Sequence, residues 1–296
     1  MRGLKIVIAG LALWTTNAAI GQAPSPEAKA SAEKYNALPW INAPAAAAIT
    51  DRATLKLDAR VRALDVNGTN ELLKLTGNLP EDASYTLAPK SGNWFAIYSF
   101  EDVGYVKDDE KIDAPALLKT LKENQQQANE ERQKQGFGAL TVVDWAVPPH
   151  YDPTTHNLEY GVKLASAEGE NINYHMRMLG RRGVMDATLI TSPQYLREDL
   201  AEFRAANGGF AFKPDESYAA FKQGDRVSEY GLAALVTGGA AAAVLKGGLL
   251  KGLLAGLAAF WKVIAVGLVA FFAAFKRFFA RLFGKGEELG PPPGSD

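Results

Sequence analysis

Between Thr141 and Ile190 the chain repeats one pattern, a run fit for a β-strand followed by a turn. Thr141-Val-Val-Asp-Trp145 starts the first run, and Leu158 to Leu164, Ile172 to Leu179 and Val184 to Ile190 follow. Ala167-Glu-Gly-Glu170 and Gly180-Arg-Arg-Gly183 lie between the last three as turns, so the segment reads as an antiparallel meander. Within it Asn171, Asn173, His175 and Arg177 alternate with Ile172, Tyr174, Met176 and Met178. One face is expected to pack and the other to meet water. Gly180 and Gly183 are expected to supply positive φ, leaving Arg181 and Arg182 at an exposed tip. A hairpin accounts for the stretch; the alternative is a surface site in which Arg177, Arg181 and Arg182 grip carboxylate or phosphate.

The flanking segments mix strands and helices without βα alternation. Thr54 to Leu57, Arg60 to Leu64 and Trp94 to Phe100 suit strands, and Thr69 to Thr76 suits a short helix. Asp113 and Pro115 open a helix that runs to about Gln135, where Gly136 ends it; its second half is polar nearly all round and reads as solvated. Ser192-Pro193 is expected to cap a helix through Ala206, stopped by Asn207-Gly-Gly209. The fold class is therefore α+β, a largely antiparallel sheet with flanking helices, plus a C-terminal transmembrane helix.

The two ends of the chain speak of location. Residues 1–23 have a basic start at Arg2 and Lys5, an apolar run from Ile6 to Trp14 and a small-x-small triplet, the marks of a secretory signal peptide. Residues 24–48, rich in Pro and Ala, read as a tether with a short helix near Glu27 to Tyr35, and 49–231 as the exported domain. No cysteine is present to staple that domain, so core burial must hold it. The signal takes two basic residues, and the chain beyond Leu232 takes seven basic and three acidic ones; the domain is left with seven more acids than bases. That excess disfavours nucleic acid as a partner.

From Leu232 to residue 283 the composition turns apolar. Over Gly252 to Phe275 the large apolar residues favour insertion by about 5 kcal/mol, against roughly 2.5 to 3.5 kcal/mol for Lys262. A transmembrane helix over 252–275 is expected; the alternative is a helix lying on the membrane surface. Lys276, Arg277, Arg281 and Lys285 follow, which places the 284–296 tail in the cytoplasm by the positive-inside rule. Gly248, Gly252 and Gly256 are spaced for close helix contact, and Lys251, Lys262 and Lys276 share a face, so a homo-oligomer in the lipid bilayer is expected. Leu232 to Leu245 is ambiguous between a second membrane segment and a juxtamembrane helix.

GYVKDDE at Gly104 to Glu110, VDWAVPPHYDPTTHNLEYGVKL at Val143 to Leu164, NINYHMRMLGRRGVM at Asn171 to Met185 and FKQGDRVSEYGLAAL near Phe221, four segments followed by the Gly/Ala/Lys-rich apolar end, together resemble an uncharacterised bacterial membrane-anchored family, domain of unknown function 2167. The resemblance implies a signal peptide, an envelope-facing domain and C-terminal membrane attachment. It implies no activity and transfers no catalytic residue.

Motifs for chemistry are few. His150, His156 and His175 match no metal-ligand spacing, and no cofactor or metal is expected. Asp108-Asp109-Glu110 is an acidic run of the kind that faces solvent. The best enzyme candidate is Asp144, His150, Tyr151, Asp152 and His156, with His150, Asp152 and His156 as catalytic candidates. The expected function is a single-pass bacterial inner-membrane protein whose periplasmic domain senses a condition or binds an unknown envelope protein. The alternatives are a hydrolase or metal-dependent enzyme at His150 and His156, and a small oligomeric pore.

Overall fold

The computed structural model describes residues 26–238, apart from 77, 79, 135, 137 and 168. The expected leader over 1–23, the membrane helix over 252–275, Gly248, Gly252, Gly256 and Lys262, and the 284–296 tail lie outside the described residues. Among the described residues no helix is long and apolar enough to cross a membrane.

From the N-terminal side the elements are α1 (Pro26–Asn36), β1 (Ile41–Asn42), β2 (Ala46–Ile49), β3 (Ala53–Lys56), β4 (Val61–Leu64), α2 (Val66–Leu75), β5 (Tyr85–Pro89) and β6 (Phe95–Glu101). Then follow α3 (Ala114–Lys134), β7 (Thr141–Asp152), β8 (Asn157–Ser166), β9 (Gly169–Leu179), β10 (Val184–Thr191), α4 (Leu196–Asn207), β11 (Phe210–Phe212) and α5 (Leu232–Thr237). One eight-stranded sheet runs β1-β4-β5-β6-β10-β9-β8-β7, antiparallel throughout, and a three-stranded sheet runs β11-β3-β2. The α+β class and the meander stand as expected.

Strand β10 explains the layering. All eight of its residues are buried, so both faces of the large sheet are covered at its centre. On one face Met185, Ala187 and Leu189 join Tyr174, Met176 and Met178 beneath Phe203 of α4 and Leu55 of the small sheet. On the other, Leu72 of α2 packs with Ile97 and Ile190, while Leu117 and Leu121 of α3 and Leu232, Leu235 and Val236 of α5 pack over β7, β8 and β9. The face of β9 expected in water is therefore interior: Asn173 is 1% and Arg177 4% exposed. Alternation says that these residues share a side; helices from elsewhere in the chain decide what that side meets.

Other boundaries also move. Within the expected tether, α1 matches the short helix expected near Glu27 to Tyr35, but the rest is not loose: it forms β1 and the start of β2, with Ala47 in the core. Tyr35 and Trp40 are fixed by the Arg62 guanidinium, which lies 5.0 and 4.0 Å from their ring centroids. Leu232–Thr237, expected to begin the apolar membrane region, is a helix packed into the domain. Strand β7 starts at Thr141 as expected and continues through Pro148 and Pro149 to Asp152. It can do so as an edge strand, where a missing N–H leaves no ladder bond unmade; its three register irregularities also blunt that edge. Asp113 caps α3 as expected, its Oδ1 accepting from the Ala116 N–H at 3.1 Å. Ser192 makes no such bond to α4, whose first turn follows Tyr195.

The β9–β10 connection needs glycine for a reason other than the one expected. Neither Gly180 nor Gly183 has positive φ. A Cβ on Gly183 would instead lie 2.0 Å from the carbonyl oxygen of Glu101 on β6. Gly183→Ala should therefore destabilise the chain by about 1–3 kcal/mol in urea unfolding. Gly138→Ala, which meets nothing within 4 Å, should stay within about 0.5 kcal/mol of the parent. Equal unfolding midpoints for the two would refute this account of the connection.

Candidate functional site

The inward polar residues of β9 and β10 meet one another under α3 and α5. Arg177 is held from three directions: Nε donates to the Tyr160 hydroxyl at 3.2 Å, Nη1 to Glu101 Oε1 at 3.0 Å, and Nη2 lies 3.5 Å from Asp186 Oδ2. His175 stacks on the Tyr160 ring at 4.7 Å and sets Nδ1 2.9 Å from Thr188 Oγ1 and 3.3 Å from both Asp186 oxygens. A coherent arrangement has Nδ1–H donating to Thr188 and Thr188 donating to Asp186 Oδ2 at 3.2 Å. Because Thr188 and Asp186 address the same ring nitrogen, the imidazole cannot relay a proton between them through its two nitrogens.

These residues line a cavity of about 70 Å³ with Ser99 and Gln125 on its polar side and Val142, Val162 and Val236 on its apolar side. Helix α5 is part of its wall, and three contacts hold it there. Glu110 Oε2 accepts from the Ala233 N–H at 3.0 Å, Asn124 Nδ2 donates to the Thr237 carbonyl at 3.0 Å, and the Tyr160 hydroxyl lies 3.4 Å from the Leu235 carbonyl. Six residues make too short a helix to persist alone, so these bonds and burial of Leu232, Leu235 and Val236 keep it in place. The acidic run expected in solvent is thus partly structural. Glu110 caps α5, and Asp108 accepts from the Tyr151 hydroxyl at 2.8 Å.

The three arginines singled out in the sequence do not converge. Arg177 lies in the buried layer. Arg181 makes a two-pronged pair with Asp225 at 2.7 and 2.8 Å, its side chain 11% exposed. Half-exposed Arg182 reaches Glu216 at 3.3 Å, and Arg52 meets the same buried carboxylate at 3.0 Å. The connection therefore clasps the segment Lys213 to Asp225 and does not form a tip in water.

The histidine candidates also separate. Half-exposed His150, with Nε2 3.8 Å from Glu159, belongs to a group in which the largely covered Glu159 also accepts from Arg204 at 2.6 Å and from the hydroxyl of buried Tyr174. Asp152 closes the β7–β8 turn, accepting from the Thr154 N–H at 2.8 Å and the Thr155 hydroxyl at 3.0 Å. His156 packs on the Tyr218 ring at 4.3 Å with Nδ1 3.0 Å from the Tyr151 hydroxyl. Burial and the neighbouring Asp108 push the Tyr151 phenol upward, away from service as a base. Asp144 bonds the N–H of its neighbour Trp145. Among the described residues no three His, Asp or Glu side chains stand close enough to hold a metal ion.

Asp186, Glu101, Tyr160 and Gln125 escaped the reading of the sequence. Asp186 had a signal: it interrupts the apolar run Val184 to Ile190. Gln125 had none, because it sits in the polar half of α3 and yet is 2% exposed.

Burial by itself would raise the Asp186 carboxyl, but Arg177, His175 and Thr188 outweigh it and hold the group at about 2. The same carboxylates, outweighing burial, keep the Arg177 guanidinium firmly charged. A carboxyl lowered on folding gives stability that is complete above its unfolded value near 3.9 and is lost as pH falls toward 2. Asp186→Asn should cost about 3–5 kcal/mol at pH 7, since it leaves Arg177 buried against Glu101 alone. Urea unfolding at pH 7 and pH 3 should show that the gap from the parent narrows at pH 3; an equal gap would dissociate Asp186 from the pair.

Comparison with solved structures finds the solution structure of cyanobacterial PsbP (CyanoP) from Synechocystis sp. PCC 6803, at 8% identity and a TM-score of 0.34 over 59% of this chain and 91% of that one. That likeness is too slight to carry a conclusion about this chain. No curated protein matches it. A family model does, over residues 42–273, and it spans all four segments that carried the resemblance: the chain belongs to the family described as protein of unknown function (DUF2167).

Proposed function

We propose that this chain is a membrane-anchored cell-envelope protein of bacteria whose domain faces the periplasm and senses a small solute through the cavity beneath α5. One observation carries the reading: the helix that walls the polar cavity is followed in sequence by the long apolar stretch. A change in the cavity that loosens or tightens α5 would act directly on the start of that stretch. The signal-like N-terminus and the basic cluster after Phe275 support export of the domain and a cytoplasmic tail. The row Gly248, Gly252 and Gly256, with Lys262, supports association of such helices in the inner membrane. Separate partner sets for His150 and His156 give the hydrolase reading no constellation to work with.

Topology is tested by fusing alkaline phosphatase after Gly224 and after Asp296 in a bacterial host. The first fusion should be active and the second inactive; the reverse would sink the single-pass reading.

The role of α5 has its own test, helped by the lack of native cysteine. A Val236→Cys reporter should react slowly with a maleimide, and Glu110→Ala, which removes the acceptor for the Ala233 N–H, should speed labelling about 5- to 30-fold, the equivalent of roughly 1–2 kcal/mol for a lost helix cap. Unchanged labelling would mean that Glu110 does not hold α5 and that the helix is no movable wall.

A further inference from the structure

Gln125 supplies the observation that goes furthest. Asn129 Oδ1 accepts from the Leu140 N–H at 2.9 Å, and its Nδ2 donates to the Leu140 carbonyl at 2.8 Å, so the backbone fixes which way that amide points. Asn129 Oδ1 is then an acceptor for Gln125 Nε2 at 3.0 Å, which fixes the Gln125 amide in turn. Its carbonyl Oε1 is left in the buried layer with no hydrogen-bond partner, on a residue 2% exposed that lines the cavity. A buried acceptor without a donor costs about 1–3 kcal/mol, so the site is built for something that donates.

Charge narrows the class. Two carboxylates, Glu101 and Asp186, face a single guanidinium, Arg177, so the layer is richer in acid than in fixed base. Shape narrows it further. Opposite the polar groups stand Leu121, Val142, Val162, Leu164 and Val236, an apolar wall that a bare ion or a water cluster would leave uncovered. At roughly 10–15 Å³ for each water-sized sphere, about 70 Å³ admits around five heavy atoms. Glu101, its side chain 35% exposed, is where the lining reaches solvent.

We infer that the cavity is a binding site for a short primary alkylammonium of two to four carbons, its N–H donors directed to Gln125 Oε1 and the acidic layer and its chain laid along the valines and leucines. The inference rests on the sensing reading above and names the solute for it. The ammonium supplies the donor that Gln125 lacks and cancels the excess charge, while the alkyl chain covers apolar wall. A carboxylate of the same size would meet Glu101 and Asp186 with like charge, and a quaternary ammonium would bring no N–H.

The test uses the full chain in mild detergent at pH 7, with thermal unfolding and calorimetric titration as readouts. n-Propylammonium chloride should bind with a Kd of about 0.1–10 mM, as a ligand of four heavy atoms allows, and should raise the unfolding temperature. Sodium propionate and tetramethylammonium chloride at equal ionic strength should do neither. Gln125→Leu should weaken propylammonium at least tenfold, and Glu101→Gln, which keeps an acceptor for Arg177 at the partly exposed end of the layer and removes one charge, should weaken it severalfold. The second variant decides the matter if the first fails to fold. Binding unchanged in Glu101→Gln, stronger binding of propionate, or no amine binding up to 50 mM with ordered water on Gln125 in a crystal would each overturn the site. If the amine fails while Val236→Cys labelling still follows Glu110, the ligand class falls and the sensing reading stands.

Discussion

The polar layer that the large sheet buries beneath α3 and α5 depends on Arg177. A guanidinium 4% exposed must be neutralised and bonded, and Glu101, Asp186 and Tyr160 do this from three different strands. Those strands, β6, β10 and β8, are neighbours of β9 or one strand further away, so the cluster ties the middle of the sheet across its width. Hydrophobic packing could hold the same strands with more tolerance for error. An ion set in low dielectric permits one register, because a shift of one residue would turn the charge to the opposite face.

The segments shared with the family read differently once their contacts are known. In GYVKDDE, Tyr105 stacks on Tyr218 at 4.4 Å and on Phe221 at 4.2 Å, the Val106 carbonyl accepts from the Tyr218 hydroxyl, and Glu110 caps α5. In FKQGDRVSEYGLAAL, Asp225 takes Arg181, Arg226 reaches Asp102, and Leu232 and Leu235 enter the core. A Cβ on Gly231 would lie 2.1 Å from Glu110 Oε2, so a side chain there would have to displace the carboxylate that caps α5. Distant in sequence, these segments together bring the chain back over the sheet and hold α5 against α3. A wall kept by a cap, two carbonyl contacts and five buried residues is secure in the folded state, yet it takes no part in the strand ladder. Such an element suits a domain that reports on a cavity.

Much of the architecture was legible from residue order. Three of the four meander strands appear within three residues at each end, and Asp113 with Pro115 marks the start of α3. The extension of β7 through two prolines was hidden because proline is excluded from central strands and tolerated at an edge, and edge position is a property of the whole sheet. Helix α3 looked solvated because its amides are polar, although Gln125, Asn124 and Asn129 direct that polarity to particular partners.

Sequence by itself determined the strand periods, the turn positions, the α+β class and the kinship to a family, because each follows from local spacing or residue identity. Tertiary structure decided which polar residues are interior. Asn173, His175 and Arg177 share a face by alternation, but α3 and α5, brought from about fifty residues on either side, exclude water from it. No local pattern distinguishes a wet polar face from a buried polar layer, since the difference lies in what covers it, and that is settled only when remote apolar side chains find a common core.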